Sequence, residues 1–399
     1  MPASISTRGQ IAPASPIRKL EPFARDAERR GVKIFSLNIG QPDLKTPAAF
    51  LQNARQEEGS VLAYSPSGGL YPAREAFAAY YRGLGLSVGE ENVLITTGGS
   101  EAIIFALAAV ADPGDEVLTP APFYPNYRGF SVMTGLRLNL LPTSIESGFA
   151  LPPPEAFEAA ITPKTRAIVV CNPGNPTGAV YPESDLRALV DIARRRGLFL
   201  IADEVYREFV YDGLKPSSIL SIPGAEEVAI VIDSTSKRLS ACGARIGCLL
   251  TKHQGVLDAA TRFAQARLSP PTLGQKGLIA SLPSAGDFIT SSISEYQKRR
   301  DVTLDGLKQI PGVFAPTPKG AFYLMVRLPV ASADDFCRWL LAEFSDQNET
   351  VMLAPGSGFY GESGLGNDQA RIAYVLEEKA LRRSLDLLGK ALAVYPGAR

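Results

Sequence analysis

Between about residues 91 and 251, short runs of β-branched and aliphatic residues alternate with amphipathic helical patterns. This alternation confines the chain to an α/β architecture with a mostly parallel sheet. Strands are predicted at Asn92–Thr96, Glu116–Thr119, Arg137–Leu141, Ala167–Cys171, Leu198–Ala202, Ala229–Ile232 and Cys248–Thr251. Helices are predicted at Ser100–Ala111 and Glu183–Arg195. Ligands of such sheets gather at the carboxyl ends of the strands, so the loops after these runs are where chemistry is to be sought.

The flanking segments read differently. A helical stretch from Ile17 to Arg29 precedes a strand at Val32–Leu37. Helical patterns dominate from about 252 to 309. Strands at Ala321–Arg327, Val351–Leu353 and Ala370–Val375 then intermingle with helices at Ala333–Phe344 and Glu377–Ala393. That is a small α+β unit that takes in the N-terminal segment. The expected division is a large domain of residues 46–296 and a small, discontinuous one of residues 1–45 and 297–399, two domains being usual for 399 residues.

Composition excludes several functions. The 41 basic and 41 acidic residues balance, so no basic excess speaks for nucleic acid. No run approaches the ~18 apolar residues of a membrane helix, and the first residues, Met-Pro-Ala-Ser-Ile-Ser-Thr-Arg, lack a signal-peptide apolar core. Cys171, Cys242, Cys248 and Cys337 are scattered, and His253 is the one histidine, so no metal-ligand spacing exists. Four reduced thiols in a cytoplasmic protein is the expectation. His253 lies in Thr-Lys-His-Gln-Gly and reads as a solvated loop residue, which leaves a histidine-dependent triad without support.

The strand-end loops carry unusual strings. Thr-Thr-Gly-Gly-Ser-Glu-Ala (96–102) follows a strand and opens a helix, where backbone amides and the helix dipole suit an anion. The same string also serves as an ordinary strand–helix turn, and the dinucleotide pattern Gly-x-Gly-x-x-Gly is not met there. Pro-Phe-Tyr (122–124) offers Tyr124 to stack on a flat ring or to fill core. Asn-Pro-Gly-Asn-Pro-Thr-Gly (172–178) is a strongly restricted loop, either a plain Pro/Gly turn or one that places the Asn175 side chain to donate to a cofactor oxygen. Asp203 in Ala-Asp-Glu-Val-Tyr (202–206) either caps a turn or holds a proton on a pyridine nitrogen, with Tyr206 in reach of the same ring. Lys237 stands in Ser-Thr-Ser-Lys (234–237), just past the apolar run 228–233, with Arg245 eight residues on. An amine able to form a Schiff base, beside hydroxyls and a guanidinium for a phosphate, suits an enzyme that carries pyridoxal phosphate. Arg371, in an otherwise apolar strand, needs an acidic partner, either a substrate carboxylate or a protein one.

Taken in order, these strings resemble the fold-type I pyridoxal-phosphate enzymes, specifically the class I/II aminotransferases of the aspartate aminotransferase group. The resemblance runs from Ser-Leu-Asn-Ile-Gly-Gln-Pro-Asp (36–43) through Pro-Lys-Gly-Ala-Phe-Tyr (318–323) and Ala-Pro-Gly-Ser-Gly-Phe-Tyr-Gly (354–361) to Arg371. It implies that Lys237 carries the cofactor and then shuttles the substrate's α-proton. It implies further that Asp203 pairs with the ring nitrogen, that Asn175 and Tyr206 bond the phenolic oxygen, and that Tyr124 stacks on the ring. Gly99, Ser100, Glu101, Ser234, Ser236 and Arg245 would surround the phosphate. Tyr64 would reach the phosphate of a neighbouring subunit, which implies a homodimer with shared active sites. Gly40, Asn175 and Arg371 would hold the substrate's α-carboxylate.

The implied reaction is ping-pong transamination between an amino acid, aspartate first, and a 2-oxo acid, 2-oxoglutarate first. One position departs from the family pattern. The arginine that reads a distal carboxylate from the neighbouring subunit falls in Ala-Gln-Ala-Arg-Leu-Ser-Pro-Pro (264–271), where Arg267 is either that group or a solvated helix-end residue. Prephenate, alanine, aromatic and N-acyl-diaminopimelate-type substrates stay open. So does a C–S lyase built on the same lysine. A non-enzymatic regulator would need a DNA-binding module, for which the segment ahead of Asn38 is too short.

Overall fold

A computed structural model describes residues 3–55, 61–361 and 364–398. Met1 and Pro2 of the N-terminal stretch lie outside the described residues. Twelve strands are present among the described residues: β1 (Lys33–Ser36), β2 (Val93–Thr96), β3 (Glu116–Ala121), β4 (Arg137–Pro142), β5 (Thr165–Cys171), β6 (Phe199–Asp203), β7 (Ala229–Ser234), β8 (Gly247–Thr251), β9 (Tyr323–Arg327), β10 (Glu349–Met352), β11 (Ala354–Pro355) and β12 (Gln369–Ala373).

Seven of them form the main sheet, in the order β2-β8-β7-β6-β5-β3-β4. The pairings among β4, β3, β5, β6 and β7 are parallel. Only β8 runs against its neighbours β2 and β7. Every residue of β2, β7 and β8 is buried. That is why these strands read as continuous apolar runs rather than as alternations: helices cover both faces.

The crossover between β5 and β6 illustrates how sequence makes the layer. Helix Glu183–Arg196 carries Glu183 and Asp185 in its first turn and three arginines in its last, each sign matching the helix dipole. It buries Leu186, Leu189, Val190 and Ala193, a stripe at helical spacing. Gly197 ends it in the left-handed region, at φ 64°.

A second apolar core lies outside this sheet. Strands β11-β12-β9 form an antiparallel sheet, and β1 pairs in parallel with β10, Phe35 opposite Val351. Helices Gly286–Lys308, Ala333–Ala342 and Glu378–Val394 pack around them, burying Phe336, Leu340, Ile372 and Leu388. The N-terminal segment therefore joins the C-terminal core.

Two local expectations are corrected. The N-terminal helix starts at Glu21, not Ile17. Pro22 has no amide hydrogen to give to residue 18, so it fits only in a first turn, and residues 16–20 form a turn instead. His253 is not a solvated loop residue. It caps helix Gln254–Arg267, its Nδ1 accepting the Val256 amide at 3.3 Å, and its ring meets Phe199 edge-on at 5.1 Å. Among the described residues, no helix is long and apolar enough to cross a membrane and no cluster of side chains suits a metal ion. All four cysteines are free.

Candidate active site

The carboxyl ends of β3, β5, β6 and β7 open onto one cavity of about 310 Å³, closed on the far side by Gly40, Tyr323 and Arg371 from the second core. That volume is at the lower end of the range for small-molecule sites.

One wall is an anion cradle. Helix Gly98–Val110 starts two residues after β2, and its first amides have no intrahelical acceptors. Glu101 Oε2 takes the Thr97 amide at 2.8 Å and turns its side chain away from the cavity. Gly99 and Ser100 line the cavity, as do Ser234 at the end of β7 and Ser236 in the turn that follows. Arg245 sits in the left-handed region at φ 55° and lies across the helix start, its Nη2 3.4 Å from the Thr97 carbonyl. Gly98 stands in the left-handed region at φ 73°, which favours glycine, and a Cβ there would come within 2.3 Å of that guanidinium and push it aside.

Lys237 belongs to a single helical turn, Thr235–Arg238, capped by Ser234. Its Nζ donates to the Gly40 carbonyl at 2.8 Å and lies 3.8 Å from Cys242 Sγ. The turn is anchored from behind by Arg238, which is fully buried against Asp233 (2.7 Å) and Glu208 (2.9 Å).

Asp203 ends β6 and is 4% exposed. Tyr127 Oη donates to its Oδ2 at 2.7 Å and the Val205 amide reaches its Oδ1 at 3.3 Å. No cation pairs with it among the described residues, and burial pushes its pKa up to about 6. Arg371, in β12, is 1% exposed. It donates to Asn175 Oδ1 (2.9 Å) and the Asn38 carbonyl (2.5 Å), lies over the rings of Tyr323 and Phe359, and its Nε has no partner. No carboxylate meets it among the described residues, and burial lowers its pKa. The cavity thus holds a buried acid and a buried arginine, both unpaired.

Asn175 stands in the rigid loop 172–178. Asn172 Oδ1 accepts the Tyr181 amide at 2.9 Å, and Gly178, at φ +69°, packs where a Cβ would be 2.5 Å from the Tyr323 carbonyl oxygen. Tyr206 Oη is 2.9 Å from Tyr323 Oη. Tyr124 Oη accepts from Asn126 Nδ2 at 2.8 Å, and burial raises its pKa to about 12.

The cavity therefore brings together Lys237, Asp203, Tyr206, Tyr124, Asn175, Gly99, Ser100, Ser234, Ser236, Arg245, Gly40 and Arg371. Three of the expected residues stand apart in this chain. Glu101 faces Arg267 at 3.7 Å. Arg267 donates to the carbonyls of Ser67 (3.1 Å) and Ile95 (3.4 Å) and does not line the cavity. Tyr64 is 80% exposed on the outside. Sequence reasoning missed Tyr127 and Tyr323. Tyr323 ends the string 318–323 and Tyr127 lies three residues past Tyr124, yet only the tertiary fold reveals which polar group each hydroxyl meets.

The donor set fits pyridoxal phosphate: a cradle for the phosphate, a carboxylate for a ring N–H, an amine for the aldehyde and a guanidinium without a carboxylate partner for a substrate acid.

Comparison with known proteins agrees. The family model "Aminotransferase class I and II" matches residues 32–386. A probable aspartate/prephenate aminotransferase of Thermus aquaticus is 34% identical over 380 residues, 92% of this chain and 94% of that protein. An aromatic-amino-acid aminotransferase of Thermococcus litoralis is 32% identical over 398 residues, 98% of each chain. The aspartate aminotransferase of Thermus thermophilus solved with maleate superposes with a TM-score of 0.87 at 30% identity, covering 98% of this chain and 100% of that one. The chain belongs to the class I and II aminotransferases, pyridoxal-phosphate enzymes of the aspartate aminotransferase group.

Proposed function

We propose that the amino donor is aspartate and the acceptor 2-oxoglutarate, exchanged in a ping-pong cycle at this cavity. The observation that carries the reading is one cavity lined by Lys237, by the buried Asp203 without a cation partner and by the buried Arg371 without a carboxylate partner. Relatives named for aspartate support the donor.

When bound, pyridoxal phosphate supplies a ring that draws electrons from the substrate's α-carbon. The protein's residues do the rest. Lys237 would hold the cofactor and, once displaced by the substrate amine, would take the α-proton on Nζ and return it at the cofactor's aldehyde carbon, two atoms along. The Gly40 carbonyl orients that amine. Asp203, oriented by Tyr127, keeps a proton on the ring nitrogen. Tyr206 and Asn175 serve the phenolic oxygen, and Tyr124 the ring face. Gly99, Ser100, the Glu101 backbone, Ser234, Ser236 and Arg245 serve the phosphate. Arg371, with Asn175 and Gly40, receives the α-carboxylate as a bidentate pair.

A homodimer completes the reading. Val61, Leu62, Tyr64 and Leu268 form an exposed apolar patch, with Thr272 Oγ1 bonded to the Ala63 carbonyl between them. Such a patch favours a partner surface, from which Tyr64 would serve the neighbouring phosphate. The two apolar cores support a division into residues 46–296 and residues 1–45 with 297–399. Free cysteines favour a cytoplasmic setting.

The test is a half-reaction panel. The cofactor's absorbance is followed with single amino acids in the absence of any oxo acid. Stoichiometric conversion, fastest with aspartate, supports the reading. Continuous pyruvate or ammonia release would make the protein a lyase.

A further inference from the structure

We propose that Arg18 reads the second carboxylate of a dicarboxylic substrate. The inference rests on the dicarboxylate reading above and names the residue responsible for it.

Residues 15–20 form a strap across the cavity mouth, with Ser15, Ile17 and Arg18 lining it. The strap is pinned to the second core at three points. Leu20 is buried there. Lys19 forms an ion pair with Asp334, whose other oxygen accepts the Ser357 hydroxyl at 2.6 Å. Pro16 packs so closely on Gly358 that a Cβ on the glycine would lie 2.1 Å from its ring. Internally, the Arg18 and Lys19 amides both bond the Ser15 carbonyl at 3.1 Å.

The backbone around Arg18 is therefore held. Its side chain is exposed at the mouth and has no hydrogen-bond, ion-pair or ring partner among the described residues.

The charge balance of the cavity makes this arginine informative. Asp203 is the one carboxylate among the lining residues, and it lies buried at the end of β6. Arg245 lies over the cradle and Arg371 is buried in β12, and on the reading above the phosphate falls to the first and the α-carboxylate to the second. Arg18 is left over. A substrate whose α-carboxylate meets Arg371, and whose α-carbon lies at Lys237, has only its side chain to extend toward the mouth. A carboxylate there meets a planar fork of donors, which it can accept bidentately. A methyl group would not reach it. Arg267, the trans alternative, has its guanidinium bonded to the Ser67 and Ile95 carbonyls, with Glu101 beside it. Arg18 carries no such commitment.

The experiment uses the purified holoenzyme with R18A, R18K and R267A. Dissociation constants are measured for succinate and propionate, inert acids with and without a second carboxylate. Half-reaction kcat/KM is measured for aspartate and alanine. R18A is expected to weaken succinate and slow aspartate by about 10- to 100-fold, the usual worth of a charged hydrogen bond. Losses for propionate and alanine should be at least about fivefold smaller, and R18K should recover part of the difference.

Equal losses on both acids would make Arg18 a structural part of the strap and overturn the proposal. An unchanged R18A beside an R267A that loses succinate alone would move the role to Arg267. A wild-type enzyme that does not distinguish succinate from propionate would sink the dicarboxylate reading itself, before any variant is compared.

Discussion

Arg238 offers the sharpest structural test, because it joins the lysine turn to a charge network sealed from water. Arg207 and Arg238 face Glu204, Glu208 and Asp233, and all five side chains are at most 5% exposed. Tyr81 Oη donates to Asp233 Oδ2 at 2.9 Å, and Arg207 donates to Tyr80 Oη at 2.7 Å. Burial pushes the Glu208 carboxyl up, yet Arg238 and Arg207 together pull it down to about 2.

Replacing Arg238 by methionine keeps much of the volume but removes one of two cations facing three carboxylates. Breaking a buried pair on one side costs about 3–5 kcal/mol, because the remaining charge stays uncompensated. The assay is urea unfolding of R238M, D233N and R238M/D233N at one protein and cofactor concentration, since both shift apparent stability. R238M should lose about 3–5 kcal/mol, and the double variant should lose clearly less than the sum of the single losses. An R238M loss under about 1 kcal/mol, or strict additivity, would refute the idea that Arg238 anchors the lysine turn through Asp233.

Two further outcomes follow from the same geometry. Burial raises Glu204 to about 7, and Arg207 at 3.4 Å offsets this only in part because it also serves Glu208. The folded state then keeps a proton that the unfolded chain releases near 4.5, so the stability that Glu204 itself contributes is fully present below that pH and falls by about 3 kcal/mol as pH rises to about 7. E204Q should remove this fall, and equal pH slopes for E204Q and wild type in urea melts would contradict it. For Gly40, a Cβ would sit 1.8 Å from Tyr323 Oη and so displace the ring that touches Tyr206 and Arg371. G40A should therefore cut kcat/KM by about 100-fold with an unchanged circular-dichroism spectrum, the usual effect of an ångström-scale misplacement; a loss under tenfold would count against this crowding.

How far the sequence could be read follows from how local each signal was. Strand ends were legible because β-branched runs stop where Gly, Pro and Asp begin, and Asp203, Asn175 and Lys237 all stand at such stops. Arg371 was legible as an anomaly, a charge in an apolar strand, but its lack of a carboxylate partner became visible only in the fold. The Arg238 network was not legible. Tyr81 and Asp233 are 152 positions apart, and Tyr80 and Glu208 are 128 apart, so no window contains both partners. The turn Thr235–Arg238 is too short to show a period. The orientation of β8 was hidden for another reason: alternation implies parallel strands only where a crossover helix intervenes, and between β7 and β8 there is one short turn and a 3-10 segment. Arg18 reads as one more charge on a helical stretch until Pro22 shortens that helix and frees the strap.

The central claim is that Lys237 carries the cofactor. Borohydride reduction of the holoenzyme, followed by proteolysis and mass spectrometry, tests it most directly. The account predicts a single pyridoxyl-modified peptide, with the modification on Lys237, and no trapped adduct in K237A. A modification on any other lysine, or a K237A protein that still traps the cofactor and transaminates, would contradict it.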